Sequence, residues 1–237
     1  MKRQPILGID TNAKTVKGSQ FGYITGISYL APADESGYNT CKNASVGCKT
    51  ACLFTAGRGA MSNVKDARVA KTLAFFKNKD LWMNQLSFEI VKLVKKAKKE
   101  GKIPCIRLNG TSDLPWENIK FNDKNIMEHF PDVQFYDYTK SFERMQKFSE
   151  GTLPANYHLT FSRSETNEVQ VELVLKSGGN VAVVFRDSLP LTYKGYKVVD
   201  GDLSDLRFTD EKNVVVGLIE KGRAKKDESG FVVEPEI

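Results

Sequence analysis

The sequence predicts an α/β fold in which parallel strands form a partial or complete (βα) barrel. Three observations carry this reading. Short runs rich in β-branched and aromatic residues recur along the chain. Stretches with helical spacing separate most of them, as right-handed crossovers between parallel strands require. About seven such strands can be counted, which suits a barrel. An open doubly wound sheet is the alternative.

Taken in order, residues 21–30 read as the first strand and lead directly into a cysteine-bearing loop. Helical spacing returns over 64–76, with Val64, Ala67, Arg68, Lys71 and Phe75 near one stripe. Asp80 then reads as the N-cap of a long helix with the stripe Leu81, Leu86, Ile90, Leu93, Val94 and Ala97. Gly101 closes that helix as a C-cap. Further strands are expected over 103–108, 133–138, 157–161, 181–185, 196–199 and 214–219. Helices are expected over 122–130, 141–149 and 165–176. The chain reads as one domain over 1–237, with 1–17 and 225–237 peripheral and the tail either a strap or mobile.

Composition narrows the class. The chain of 237 residues is 41% hydrophobic and 27% charged, which is globular rather than disordered. No apolar run approaches the ~18 residues a membrane span needs. The start, Met1 to Pro5, carries charge but no apolar stretch, so a cytoplasmic, reducing setting is expected. The net charge of +6 is compatible with anionic partners, including nucleic acid. Much of it falls in 92–102, which reads first as the solvated face of a helix, because no aromatics are interleaved there for stacking on bases.

Cys41, Cys48 and Cys52 are three of only four cysteines, gathered in one loop. In a reducing compartment such clustering points to metal binding or catalysis rather than disulfides. A closed zinc site normally has four protein ligands, and neither His129 nor His158 is well placed as the fourth. Zinc held by three thiolates and water is an alternative. A [4Fe-4S] cluster held by three cysteines fits better, with one iron left for an exogenous ligand. Cys105 lies mid-strand and reads as a buried, inert thiol.

In parallel α/β folds, ligands bind at the C-terminal ends of strands. Polar residues collect there: Asn109, Gly110, Thr111, Ser112 and Asp113 after one strand, Ser162 and Arg163 after another, Arg186 after a third. Either arginine suits a carboxylate or phosphate, or a local structural pair. Ser141 and Ser164 read as helix caps.

A three-cysteine loop after the first strand of a barrel resembles the radical S-adenosylmethionine (radical SAM) superfamily. That resemblance implies a cluster whose open iron chelates the amino and carboxylate groups of S-adenosylmethionine. It also implies reductive cleavage of the cofactor to a 5′-deoxyadenosyl radical. Residues 109–113, Ser162, Arg163 and Arg186 would then position the cofactor, with an unknown electron donor. The spacing here is Cys-x6-Cys-x3-Cys, against the superfamily's usual Cys-x3-Cys-x2-Cys. The whole chain also resembles a bacteriophage family, gene product eighty-eight, through 39–58, 106–113 with Trp116 and Glu117, and 160–163. A phage setting implies the host cytosol. It also admits a second reading, a non-catalytic metal-stabilised protein that binds nucleic acid or a host partner.

Overall fold

A computed structural model describes residues 4–9 and 13–235. The expectations for the extreme N-terminus and the last two residues lie outside the described residues. The chain begins with strand β1 (Leu7–Ile9) and helix α1 (Ala13–Gln20). Strand β2 (Tyr23–Ser28) follows, and then the cysteine segment with the short helix α2 (Val46–Thr50). Two helices, α3 (Ser62–Lys77) and α4 (Lys79–Glu100), come before β3 (Ile103–Arg107). Then come α5 (Ile126–His129), β4 (Gln134–Thr139), α6 (Phe142–Ser149), β5 (Tyr157–Ser162), α7 (Glu168–Lys176) and β6 (Val181–Phe185). Strands β7 (Thr192–Tyr193), β8 (Tyr196–Asp200) and β9 (Val215–Ile219) complete the series.

Among the described residues nine strands form one mostly parallel sheet, ordered β1-β2-β3-β4-β5-β6-β9-β8-β7. Only β1 against β2 and β7 against β8 run antiparallel. The order rises without reversal from β1 to β6, and no hydrogen-bonded pairing closes the sheet among the described residues. The N-terminal stretch expected to be peripheral contributes the edge strand β1, and Ile6 and Leu7 are buried. The C-terminal tail is a strap: Val233 bridges to Phe185 in parallel, and Phe231 and Val232 are buried.

Strand alternation divides the residues between two faces. On one face, Ile106, Phe135, Leu159, Phe161, Val183 and Val215 pack against Phe75 of α3, Leu86 and Ile90 of α4, Met145 of α6 and Val174 of α7. This face is the main core. On the other face, Cys105 and Tyr136 pack against Leu206, Tyr23 and Phe208. Residues 205–208, between β8 and β9, therefore lie against this second face.

Local chemistry explains where element ends depart from expectation. Asn78, not Asp80, caps α4, because its side chain accepts from the Leu81 amide at 3.0 Å. Trp82 and Met83 are buried, while Leu81, expected in the apolar stripe, stays 45% exposed. Gly101 takes the left-handed cap conformation with φ 63°. Ser141 caps α6, as expected. Ser164 does not cap a helix. Its amide donates to Asn167 Oδ1, and α7 starts at Glu168. Glu165 is thereby left in a turn and is free to reach the cysteine segment.

Candidate functional site

The cysteine segment leaves β2 at the C-terminal rim and is tied to the loop that follows β3. The Thr40 hydroxyl donates to Ala31 O at 2.7 Å, and the Asp113 amide donates to Thr40 O at 2.8 Å. Asn39 Oδ1 accepts from the Cys41 amide. Thr111 Oγ1 donates to Leu30 O at 2.5 Å, and Gly110 N to Ser28 O at 3.0 Å. Cys41 Sγ lies 3.8 Å from Thr111 O. The 109–113 loop is thus the shelf on which Cys41 rests.

A carboxylate from across the sheet fixes Cys48. Glu165 Oε1 accepts from the Gly47 amide at 2.7 Å, and Oε2 from Ser45 Oγ at 2.8 Å. Ser45 in turn accepts from the Cys48 amide. An anion at the first turn of α2 suits its exposed N–H groups. Gly47 is required by contact. A Cβ there would stand 2.2 Å from Ser229 Oγ and 2.8 Å from Glu165 Oε2.

The C-terminal strap covers this helix. Phe231, Val232, Ala224 and Ala51 form a small apolar cluster, with Cys48 packed against it. Both rim arginines hold the strap. Arg163 donates to the carbonyls of Gly230 and Phe231 and pairs with Glu168. Arg186 donates to the carbonyls of Lys225 and Asp227 and pairs with Glu234. The sequence allowed these arginines a structural role with a local acid, but their main partners are distant main-chain carbonyls. Ser162 Oγ accepts from Lys140 Nζ at 2.6 Å.

All four cysteines are free thiols. Burial is the main cause that raises the pKa of Cys41 and pushes Cys52 up to about 11. Each of these two also feels the charge of Cys48, and Cys52 that of Cys41. The three sulfurs therefore share one electrostatic neighbourhood. Yet among the described residues no group of three or more His, Cys, Asp and Glu is placed around a single metal ion. Cys105 sits apart, fully buried against Thr25 Oγ1 at 3.2 Å. Burial pushes its pKa up to about 12, as suits an inert core thiol. His129 bonds Phe121 O, and His158 is held neutral by burial, its pKa lowered to about 4.

The polar residues after β3 are heavily engaged. Asn109 donates to Leu114 O and Asp137 Oδ2, and its Oδ1 accepts from Ser112 Oγ, Leu114 N and Trp116 Nε1. Behind them lies a charged cluster on the helix-covered face that sequence reasoning missed. Arg144 of α6 binds Glu117 through Nε at 2.6 Å and Nη2 at 2.9 Å, and Asp113 Oδ1 through Nη1 at 2.6 Å. Its Nη2 also donates to Tyr157 OH. Burial lifts the Asp137 pKa to about 7, although the Asn109 amide and Tyr157 OH hydrogen-bond to it. An arginine and a glutamate of ordinary spacing gave no sign of this pairing. Glu165 was also missed, because it read as the first residue of a helix.

Two more groups stand on the face of Cys105 and Tyr136 or beside the cysteine loop. Arg107, at the end of β3, binds both oxygens of Asp205 and stacks 4.7 Å over Tyr138. Arg68 of α3 stacks over Tyr29 at 4.9 Å and over Phe54 at 5.5 Å. A cation within a largely apolar stripe was the sequence signal for Arg68.

Fold and site together define a mostly parallel α/β protein with three free cysteines on the rim where ligands bind in such folds. The model of one family, gene product 88, matches residues 6–235, and the chain belongs to that family. No curated protein and no solved structure matches the chain. Among the described residues, no helix is long and apolar enough to cross a membrane.

Proposed function

We propose that Cys41, Cys48 and Cys52 hold a [4Fe-4S] cluster at the rim of the sheet, in a radical SAM-like enzyme acting on an unidentified substrate. The observation that supports this reading is three free thiols, Cys41, Cys48 and Cys52, gathered in the one segment that follows β2. In a cluster each cysteine binds its own iron, and three cysteines leave one iron open to an exogenous ligand.

When bound and reduced, such a cluster supplies the electron that splits a carbon–sulfur bond of S-adenosylmethionine. The chain's own residues do the positioning. Glu165 and Ser45 fix the helix of Cys48, the 109–113 loop supports Cys41, and the strap covers Cys48. In this reading Asn109, Gly110, Thr111, Ser112 and Asp113 shape the cofactor's shelf mainly through their main chain, since the side chains are engaged. Ser162, Arg163 and Arg186 act through the strap and its surroundings. The test is anaerobic reconstitution with iron and sulfide, reduction, and addition of S-adenosylmethionine. Release of 5′-deoxyadenosine supports the enzyme; a loaded cluster that never yields it removes the cofactor part.

One observation favours a second reading, a metal-stabilised protein that binds nucleic acid. On α4, Phe88 is 60% exposed, and Lys92 stacks over its ring at 4.3 Å. Lys95, Lys98 and Lys99 are exposed farther along the same helix. An aromatic beside cations is what a single-stranded binding face uses. Affinity for a single-stranded oligonucleotide that falls steeply with salt, and drops on Phe88→Ala, supports this reading.

A further inference from the structure

Arg68 is a cation without an acid. Its guanidinium lies between the rings of Tyr29 and Phe54, and Nη1 is buried with no hydrogen-bond partner. Among the described residues no carboxylate pairs with it, and the groups acting on its charge are Tyr29 and Cys52. No hydrogen bond joins it to Cys52. The other arginines buried in this fold are compensated: Arg107 by Asp205, Arg144 by Glu117 and Asp113, Arg207 by Asp210.

A second cation stands beside it. Lys65 lies three residues earlier on α3, hence on the same side of the helix. Its Nζ is 5.3 Å from the centre of the same Phe54 ring, and no acid among the described residues pairs with it. The backbone packs closely on this pair. Gly59 passes so close that a Cβ would stand 3.4 Å from Arg68 Nη1 and 3.0 Å from Leu53 O. Two unpaired cations, two aromatic walls and a glycine turn thus meet next to Cys52. Arg68 is partly buried, and among the described residues no acid offsets its charge.

We infer that Arg68 and Lys65 form an anion-binding site beside the cysteine loop, which takes the carboxylate or phosphate group of a small-molecule ligand. The guanidinium offers several N–H donors in one plane, which match either group. Tyr29 and Phe54 hold that plane in place, and Lys65 adds charge without directional demand. The parts of the site come from α3, Tyr29 just after β2, the turn at Gly59 and Phe54, two residues beyond Cys52.

The test uses the full chain as purified, titrated at constant ionic strength with sodium phosphate and, separately, sodium acetate. The Arg68 side-chain N–H resonance reports binding. The inference expects a saturable shift with at least one of the two anions. Whichever binds more tightly identifies the ligand's group. Arg68→Gln keeps the stem between the two rings and should weaken binding about tenfold or more. Lys65→Gln, which removes a point charge rather than a planar fork, should weaken it by a smaller factor. An unchanged affinity in both variants, or no saturable shift in the parent up to about 50 mM of either anion, overturns the inference.

Discussion

Arg144→Met probes the charged cluster that underlies the cysteine shelf. In the parent, Glu117 is 3% and Asp113 12% exposed at the side chain, and Arg144 bonds both. Methionine fills the stem's volume but strands two carboxylates. Breaking a buried pair by removing one partner costs about 3–5 kcal/mol. For a chain of this length, with a urea slope of about 3 kcal/mol per molar, the midpoint should fall by roughly 1–1.7 M. Adding Glu117→Gln removes the worst stranded charge. The double variant should therefore be less destabilised than the two single costs summed, by about 1–3 kcal/mol. Urea denaturation followed by fluorescence reads this directly, because Trp116 lies in the same loop and bonds Asn109. A loss below about 1 kcal/mol for Arg144→Met, or strict additivity in the double variant, refutes the reasoning.

Three further outcomes follow from the geometry. Arg163→Ala removes the clamp on the Gly230 and Phe231 carbonyls, so Cys48 should be alkylated several-fold faster, read by mass spectrometry of the labelled peptide. Gly47→Ala forces a methyl against Ser229 and Glu165; it should cost about 1–3 kcal/mol in urea and also speed Cys48 labelling. His158 has its folded pKa lowered to about 4, first by burial and then by Arg207. Its contribution is fully present above the unfolded value near 6.5 and is lost as pH falls toward 4, about 2–3 kcal/mol by pH 4.5. His158→Asn should therefore lose less stability than the parent between pH 7 and pH 4.5.

The sequence showed those parts of the molecule that local physics writes. Apolar runs marked the parallel strands of the main sheet, and Gly101 marked the end of α4. The stripe on α4 was legible except at its start, where Asn78 and Asp80 compete as caps and the geometry favours Asn78. The cysteines were visible as a cluster, and their place on the rim followed from the preceding strand. The arginines show where such reasoning stops. Position alone left Arg163 and Arg186 open to a ligand or to a local acid; Arg163 does pair with Glu168, and the strap returning from residues 225–234 supplies further acceptors to both. Main-chain carbonyls leave no signature in a sequence. Nothing in the sequence showed that Asp205 and Leu206 fold onto the sheet to meet Arg107 and Tyr136. Glu165, which holds α2 from 118 positions away, is legible only in three dimensions.

The most direct measurement is iron and acid-labile sulfide per chain after anaerobic reconstitution, compared with Cys41→Ala, Cys48→Ala and Cys52→Ala. The account predicts about four irons and four sulfides in the parent and loss of the brown chromophore in each variant, with Cys105→Ala unaffected. A colourless parent that retains one zinc ion, or a chromophore that survives removal of any of the three, would contradict it.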